Sequence, residues 1–156
     1  MWILLLGAIC CFQATCATPG PTGFEHCSGS EYQPAKYGKA TNVTLDPCAK
    51  SPCQVQKGVN ATAFITFVPS VTVTNLTAVV HGKLGILPLV PFDLPNANAC
   101  SNSNITCPLK AGVLAYYTTM VPVPKLAPSA PVEVFFQLLN EKKEEVVCIK
   151  FEMQIE

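Results

Sequence analysis

Apolar and polar residues alternate most clearly at the C-terminus, where Val147, Ile149, Phe151, Met153 and Ile155 interleave with Cys148, Lys150, Glu152, Gln154 and Glu156. Successive side chains of a strand point to opposite faces, so five apolar residues at period two predict a strand with one buried face. Cys148 falls on the opposite, outward face. The preceding segment places Val132, Val134, Phe136 and Leu138 on one face and Glu133, Phe135, Gln137 and Leu139 on the other. Between the two, Asn140-Glu141-Lys142-Lys143-Glu144 reads as a polar hairpin connection. Upstream, Ala61 to Val68 carries Ala63, Ile65 and Phe67 on one face and Phe64, Thr66 and Val68 on the other. Val71 to Leu84 is a further β-branched run with Leu76, Ala78 and Val80 in phase. Val113 to Val121 and Thr41 to Leu45 add two more. Six or seven strands separated by proline and glycine predict an all-β, two-sheet sandwich. No repeat, long charge run or interdomain linker interrupts the pattern.

Two stretches break it. Leu84 to Pro95 is too apolar for a solvated connection, yet its three prolines exclude a central strand. Met120 to Pro131 carries Val121, Val123 and Leu126 among four prolines. Such backbone either packs as an irregular lid on the core or forms the lip of an apolar cavity.

Residues 2 to 12 are an unbroken apolar run of 11, followed by the small residues Ala14, Thr15, Cys16 and Ala17. That length suits a signal peptide and is too short to span a bilayer. Cleavage is expected after Ala17, leaving a mature domain over residues 18–156. Cys10, Cys11 and Cys16 leave with the leader, and Cys27, Cys48, Cys53, Cys100, Cys107 and Cys148 remain. Six cysteines in an oxidising compartment read as a disulfide framework with 15 formal pairings. If the close neighbours Cys48/Cys53 and Cys100/Cys107 each close a short loop, Cys27 and Cys148 join the ends of the domain. That last loop, of about 120 residues, is worth roughly 4 to 5 kcal/mol in the chain-entropy model. Spacings of four and six residues, with only His26 and His81 as imidazole partners, fit no zinc pattern. Sequons at Asn42, Asn60, Asn75 and Asn104 agree with secretion, and Asn104 sits in a polar loop between two cysteines.

Charge removes one class of partner. Ten lysines, no arginine and ten carboxylates give zero net charge, so nothing recommends nucleic acid, whose affinity comes from neutralised phosphates. Catalysis has little to build on. The chain has no Gly-x-Ser-x-Gly, no His-Glu-x-x-His and no phosphate-binding glycine loop. His81, near the end of a strand, reads as a hydrogen-bonded structural histidine, and His26 is constrained beside Cys27. Glu141, Glu144 and Glu145, mixed with Lys142 and Lys143, read as a solvated turn rather than an acid–base pair. The expectation is a protein that is not an enzyme and needs no metal or cofactor.

Several motifs then point one way: Asp46-Pro47-Cys48, Pro52-Cys53, Lys57-Gly58, Ala78-Val79-Val80-His81-Gly82, Val90-Pro91-Phe92, Cys107-Pro108-Leu109, Val121-Pro122-Val123 and the terminal Cys148 strand. With these the chain resembles the Niemann–Pick type C2 proteins and, more broadly, the ML-type lipid-recognition domains that include the group 2 mite allergens. The resemblance runs from about Cys27 to Ile155. It implies an immunoglobulin-like β-sandwich whose sheets splay around a lipid, and the pairing Cys27–Cys148, Cys48–Cys53 and Cys100–Cys107. It also implies that Phe92 and Val123 contact ligand at the pocket mouth, and that Ile65, Phe67, Val80, Val121, Val134, Phe136 and Ile149 face the cavity. Leu126 joins Phe92 and Val123 as a third gate residue.

Sterol-binding members carry a tyrosine before the Pro-Ser that follows Val-Pro-Val, where this chain has Ala127, and tryptophans where it has Phe136 and Ile149. Lys125-Leu126-Ala127-Pro128 is more similar to the mite-allergen branch. The resemblance therefore implies a secreted, monomeric carrier of a sterol, a fatty acid or another small hydrophobic ligand, resident outside the cell or in the lysosomal lumen. The alternative is a module that presents lipid to a membrane or receptor protein in innate immunity or chemosensation. If the cavity has closed, the domain is structural.

Overall fold

The computed structural model describes residues 20–156; the expected signal peptide and its cleavage site after Ala17 lie outside them. Ten strands follow in chain order: β1 Gly20–Pro21, β2 Phe24–His26, β3 Gly38–Asp46, β4 Cys53–Val55, β5 Asn60–Pro69, β6 Thr77–Lys83, β7 Val90–Phe92, β8 Ala115–Pro122, β9 Pro131–Leu139 and β10 Glu145–Ile155. They build two sheets. One is four-stranded in the order β1-β3-β5-β8; the other is six-stranded in the order β2-β10-β9-β6-β7, with β4 also pairing β10. Every pairing is antiparallel except β4 with β10.

The expected alternation decides which residues meet between the sheets. Ile65 and Phe67 from β5 and Tyr117 and Val121 from β8 face Val80 from β6, Val134 and Phe136 from β9, and Ile149 and Phe151 from β10, all buried in one apolar cluster. Each such side chain removed from water contributes roughly 1.5 to 3 kcal/mol. The β9–β10 connection is the five residues 140–144. Its carboxylates are more engaged than a solvated turn implies. Glu144 accepts from the Asn140 side chain at 3.0 Å, and Glu145 from Gln137 at 3.0 Å. Glu141 accepts from the Thr74 amide at 3.2 Å. Two strands depart from their sequence limits. In β3 a register shift between Ala40 and Asn42 lets both Ala40 and Val43 point inward. Val71 to Leu84 is not one strand, because Val73 and Leu76, both buried, are three residues apart and cannot share a face at period two. Val73 instead forms an isolated bridge with Leu109, and β6 begins at Thr77.

All three disulfides form in the expected pairing, with Cα–Cα distances of 5.4 Å for Cys27–Cys148, 4.7 Å for Cys48–Cys53 and 5.4 Å for Cys100–Cys107. Cys148 lies on the outer face of the six-stranded sheet, where it buries a second small cluster with Cys27 and Phe135. Tyr32, Ala35 and Leu89 pack onto it, so the segment after Cys27 is strapped across the outside of the sheet. His81, inside β6 rather than at its end, pairs with the Tyr32 hydroxyl at 2.8 Å, and Lys83 with Glu31 at 2.6 Å. Burial, with Glu31 and Glu145 nearby, raises the Tyr32 pKa and keeps the phenol neutral. Cys48–Cys53 joins the end of β3 in one sheet to the start of β4 in the other. The Cys100–Cys107 loop lies against the free edge of β8, where the Thr118 amide donates to the Ser103 carbonyl at 2.9 Å.

Replacing Cys27 and Cys148 together by serine should lower the unfolding free energy by roughly 5 kcal/mol, whereas the same change at Cys48 and Cys53 should cost about 2, because the closed loops differ so much in length. Urea titration of the two double variants measures the difference; equal losses would mean that strain or unfolded-state structure, not loop closure, sets the effect.

Candidate functional site

The two proline-rich apolar segments come together at one end of the sandwich. There β6 runs out at Lys83, β8 stops at Pro122, β9 starts at Pro131 and β10 ends at Ile155. Between them lies a cavity of about 310 Å³. Gly82, Leu84, Val90, Phe92, Val132 and Ile155 line it from the six-stranded sheet and the segment after β6. Pro122, Pro124, Ala127 and Pro128 line it from the other side. Asp93, exposed at the rim, is its one charged lining residue. Leu84 to Pro95 thus includes β7, a three-residue edge strand in which Pro91 sits opposite His81. Proline is tolerated there because an edge strand has one side free of ladder bonds.

Phe92 lines the cavity from the edge strand β7. A Cβ on Gly82 would overlap its Cε2, so the ring lies directly on the β6 backbone, and glycine is what allows it. Val123 is buried beside the lining. Its amide donates to the Val59 carbonyl at 3.2 Å and its carbonyl accepts from Gly58 at 2.8 Å, extending the edge beyond Pro122. Leu126 takes a different place. A turn closed by the Ala127 amide on the Pro124 carbonyl, at 3.1 Å, aims Ala127 into the cavity and leaves Leu126 97% exposed. The other expected contacts, Ile65, Phe67, Val80, Val121, Val134, Phe136 and Ile149, are brought together, but as the closed core behind the mouth rather than as its lining.

Sequence reading missed Tyr117. The side chain is 1% exposed, its ring meets Phe136 edge-on at 5.9 Å, and its hydroxyl makes no close hydrogen bond, Thr119 alone standing near enough for a weak one. Burial raises its pKa, counteracted only in part by the Thr119 hydroxyl two residues along. Counting back by twos from Val121 puts Thr119, Tyr117 and Ala115 inward, a phase already present in the pattern of β8. A larger groove, about 380 Å³, lies on the outer face among Glu25, Glu133, Lys150 and Glu152. It is open and charged, and Lys150 there is already paired with Glu25 at 3.2 Å, so it offers no shelter for an apolar ligand.

Comparison with known proteins agrees with this architecture. The ML domain family model matches residues 21–155. The NPC intracellular cholesterol transporter 2 of Danio rerio is 35% identical over 141 residues, covering 90% of this chain and 88% of the relative. The ecdysteroid-regulated 16 kDa protein of Manduca sexta is 40% identical over 97 residues, 62% of this chain and 66% of that protein. The crystal structure of a Niemann-Pick type C2 protein from Japanese carpenter ant superposes with a TM-score of 0.74 at 28% identity, over 85% of this chain and 98% of the other.

Gly82→Ala should push the Phe92 ring off β6 and widen the mouth. The expected result is a folded protein whose release of a bound fluorescent lipid is several-fold faster, measured by stopped-flow transfer to vesicles; unchanged release would show that Phe92 does not gate.

Proposed function

The chain belongs to the ML-domain family, and from that premise we propose that it is a carrier that encloses a small lipid between its two sheets and releases it at an acceptor. The observation that carries this reading is the mouth cavity: apolar, charged only at its rim, and backed by a continuous apolar core. Its 310 Å³ is at the lower end of the range of about 300–1,000 Å³ usual for ligand pockets. A sterol or acyl chain therefore enters by parting the sheets. The facing side chains that must separate are held by apolar packing, and a lipid replaces that packing with its own. Enclosing a few hundred Å² of hydrocarbon at about 25 cal/mol per Å² supplies several kcal/mol, enough for micromolar binding after association costs. Cys48–Cys53 ties the sheets at the β3/β4 edge, while Phe92 and Pro122 lie toward the opposite edge, so opening there leaves the covalent tie intact.

Selectivity is broad in this reading, since an apolar wall discriminates by shape and one methylene is worth about 1 to 3 kcal/mol. Small Ala127 at the mouth suits a flexible acyl chain as well as a sterol. Exposed Ile86, Leu87, Val90 and Leu126 on the two mouth segments favour a second reading alongside the first, in which the loaded protein presents its lipid to a membrane or receptor through this rim. No covalent chemistry is assigned to the chain. Secretion fits the three disulfides, and the four sequon asparagines Asn42, Asn60, Asn75 and Asn104 are all exposed and open to glycan addition.

Competition titration of delipidated protein with a fluorescent sterol and a fluorescent fatty acid tests the reading. Low-micromolar or tighter binding of at least one is expected, and Phe92→Ala should weaken it about tenfold while cooperative unfolding survives. If neither lipid binds, the carrier reading fails; if Phe92→Ala loses the fold and keeps the affinity, Phe92 is core. Endoglycosidase treatment of the secreted protein should lower its apparent mass, and peptide mapping should place a glycan on Asn104.

A further inference from the structure

Single exposed apolar side chains are ordinary on a protein surface, but a contiguous strip of them marks a surface that something covers. Among the described residues the exposed large apolar side chains fall into two groups. Ile86, Leu87, Val90 and Leu126 belong to the mouth segments, and Val59 is bonded beside them through Val123. Val113, Leu114, Tyr116 and Met120 run along β8 and the residues just before it, and lipid entry gives them no role. Tyr116 and Met120 point away from the core, onto the outer face of the four-stranded sheet. Register fixes their neighbours there. Tyr116 pairs with Thr66 of β5, and Thr66 with Asn42 of β3, so Asn42 and Tyr116 stand in one row two strands apart, about 10 Å. Met120 pairs with Thr62, and Asn60 is the next outward residue along β5. The Asn60 Nδ2 lies 4.0 Å from the Met120 sulfur. Phe64, half-buried, separates the two rows. On the free edge of β8 the Thr118 amide donates to the Ser103 carbonyl. Asn104 comes next, exposed between buried Ser103 and Ile105, at φ 65°, a left-handed conformation that asparagine accepts. Asn42, Asn60 and Asn104 each begin an Asn-x-Thr tripeptide. Three of the four sequons therefore ring one apolar strip, while no sequon asparagine lies in a strand of the six-stranded sheet.

We propose that N-linked sugars on Asn42, Asn60 and Asn104 cover the outer face of the four-stranded sheet, so that carbohydrate rather than a protein partner occupies the strip from Tyr116 to Met120. Such a coat requires the secretion reading to hold, because the donor is a lipid-diphosphate-linked oligosaccharide and the transferase acts in the lumen that secreted chains enter. In the transfer the Asn Nδ2 bonds to the anomeric carbon of the first sugar. The bond from that carbon to the diphosphate oxygen breaks, and the amide proton and the lipid diphosphate leave. At Asn60 the atom that receives the sugar is the one lying against Met120. Transfer onto the unfolded chain makes a strand position no obstacle, provided the asparagine ends on a solvent face, as Asn42 and Asn60 do. A pyranose carries C–H groups on one face and hydroxyls around its rim. It lies on a thioether or phenol ring, removes that apolar surface from bulk water, and stays hydrated outside.

The test uses the full chain secreted from cultured animal cells, with intact glycopeptide mass spectrometry and hydroxyl-radical footprinting before and after enzymatic removal of the sugars. Sugar is expected on Asn42, Asn60 and Asn104. Its removal should raise the oxidation rates of Met120 and Tyr116 several-fold and leave those of Ile86 and Leu87 unchanged. Thr62→Ala, which keeps Asn60 but destroys its sequon, should reproduce the rise at Met120, and Thr44→Ala the rise at Tyr116. Met153, buried in the core, reports in each sample whether the fold is intact. Should a variant lose protection at Met153, the enzymatic comparison on the wild-type chain decides alone. Occupied sites with unchanged rates at Met120 and Tyr116 would mean that the sugars point into solvent, and would overturn the proposal. A secreted chain with no sugar on Asn42 or Asn60 would also overturn it and leave the carrier reading intact. A chain retained in the cytosol would overturn both the coat and the secretion reading.

Discussion

A sheet grows only where one strand can offer amides and carbonyls to the next, and proline has no amide to offer. That constraint organises the molecule. Pro122 closes β8, Pro131 opens β9, Pro91 sits in the edge strand β7, and Pro124 and Pro128 lie in the connection between β8 and β9. Both sheets therefore stop at the same end, with their apolar inner faces still exposed to whatever covers them. What covers them is side chain and proline ring rather than strand, and the gap is the cavity. The other end is closed by backbone. Val73 and Leu109 exchange both their hydrogen bonds, at 3.0 and 2.8 Å, and Ala78 and Ala99 donate to the Ala97 and Leu76 carbonyls at 2.8 Å. One end is thus held by directional bonds and the other by contacts that a lipid can replace.

Covalent ties follow the same division. Cys27–Cys148 and the strap around Tyr32 reinforce the outer face of the six-stranded sheet, away from the interior. Cys48–Cys53 links the two sheets, and it does so at a single edge. A sandwich stapled along one edge and packed without bonds along its middle behaves as a book with a spine. The ion pairs add little, since Lys83–Glu31 and Lys150–Glu25 are partly solvated and exposed pairs contribute about 0 to 1 kcal/mol. Apolar packing and three sulfur bridges hold the shape.

Most of the sandwich was legible because alternation is a one-dimensional record of a two-faced object. The inward faces of β5, β9 and β10, the β9–β10 connection and the outward Cys148 all follow from period two. What failed had local causes. The break at Val73 and Leu76 was written in the spacing of the apolar residues but is hidden in a run as β-branched as Val71 to Val80. Leu126 and Ala127 are adjacent, and only the turn bonded through Pro124 decides which enters the cavity. The split between mouth lining and closed core was not legible at all, since Gly82, Val132 and Ile155 line the cavity through where their strands end, not through any residue type. Tyr117 sat in phase with Val121 throughout, beside an exposed twin at Tyr116.

The Cys100–Cys107 loop has a consequence that reaches beyond one molecule. β8 is the outer strand of its sheet, and Tyr116 and Met120 stand exposed along it, 57% and 50% accessible. An apolar strand with unpaired amides is a template on which a second chain can add. The loop, cinched by its disulfide, lays the Ser103 carbonyl on the Thr118 amide and occupies the middle of that edge. The shortest covalent rings usually matter least to folding energy, yet this one stands guard over the strand most open to self-association. In a reducing environment, colloidal behaviour rather than the fold would register its loss first.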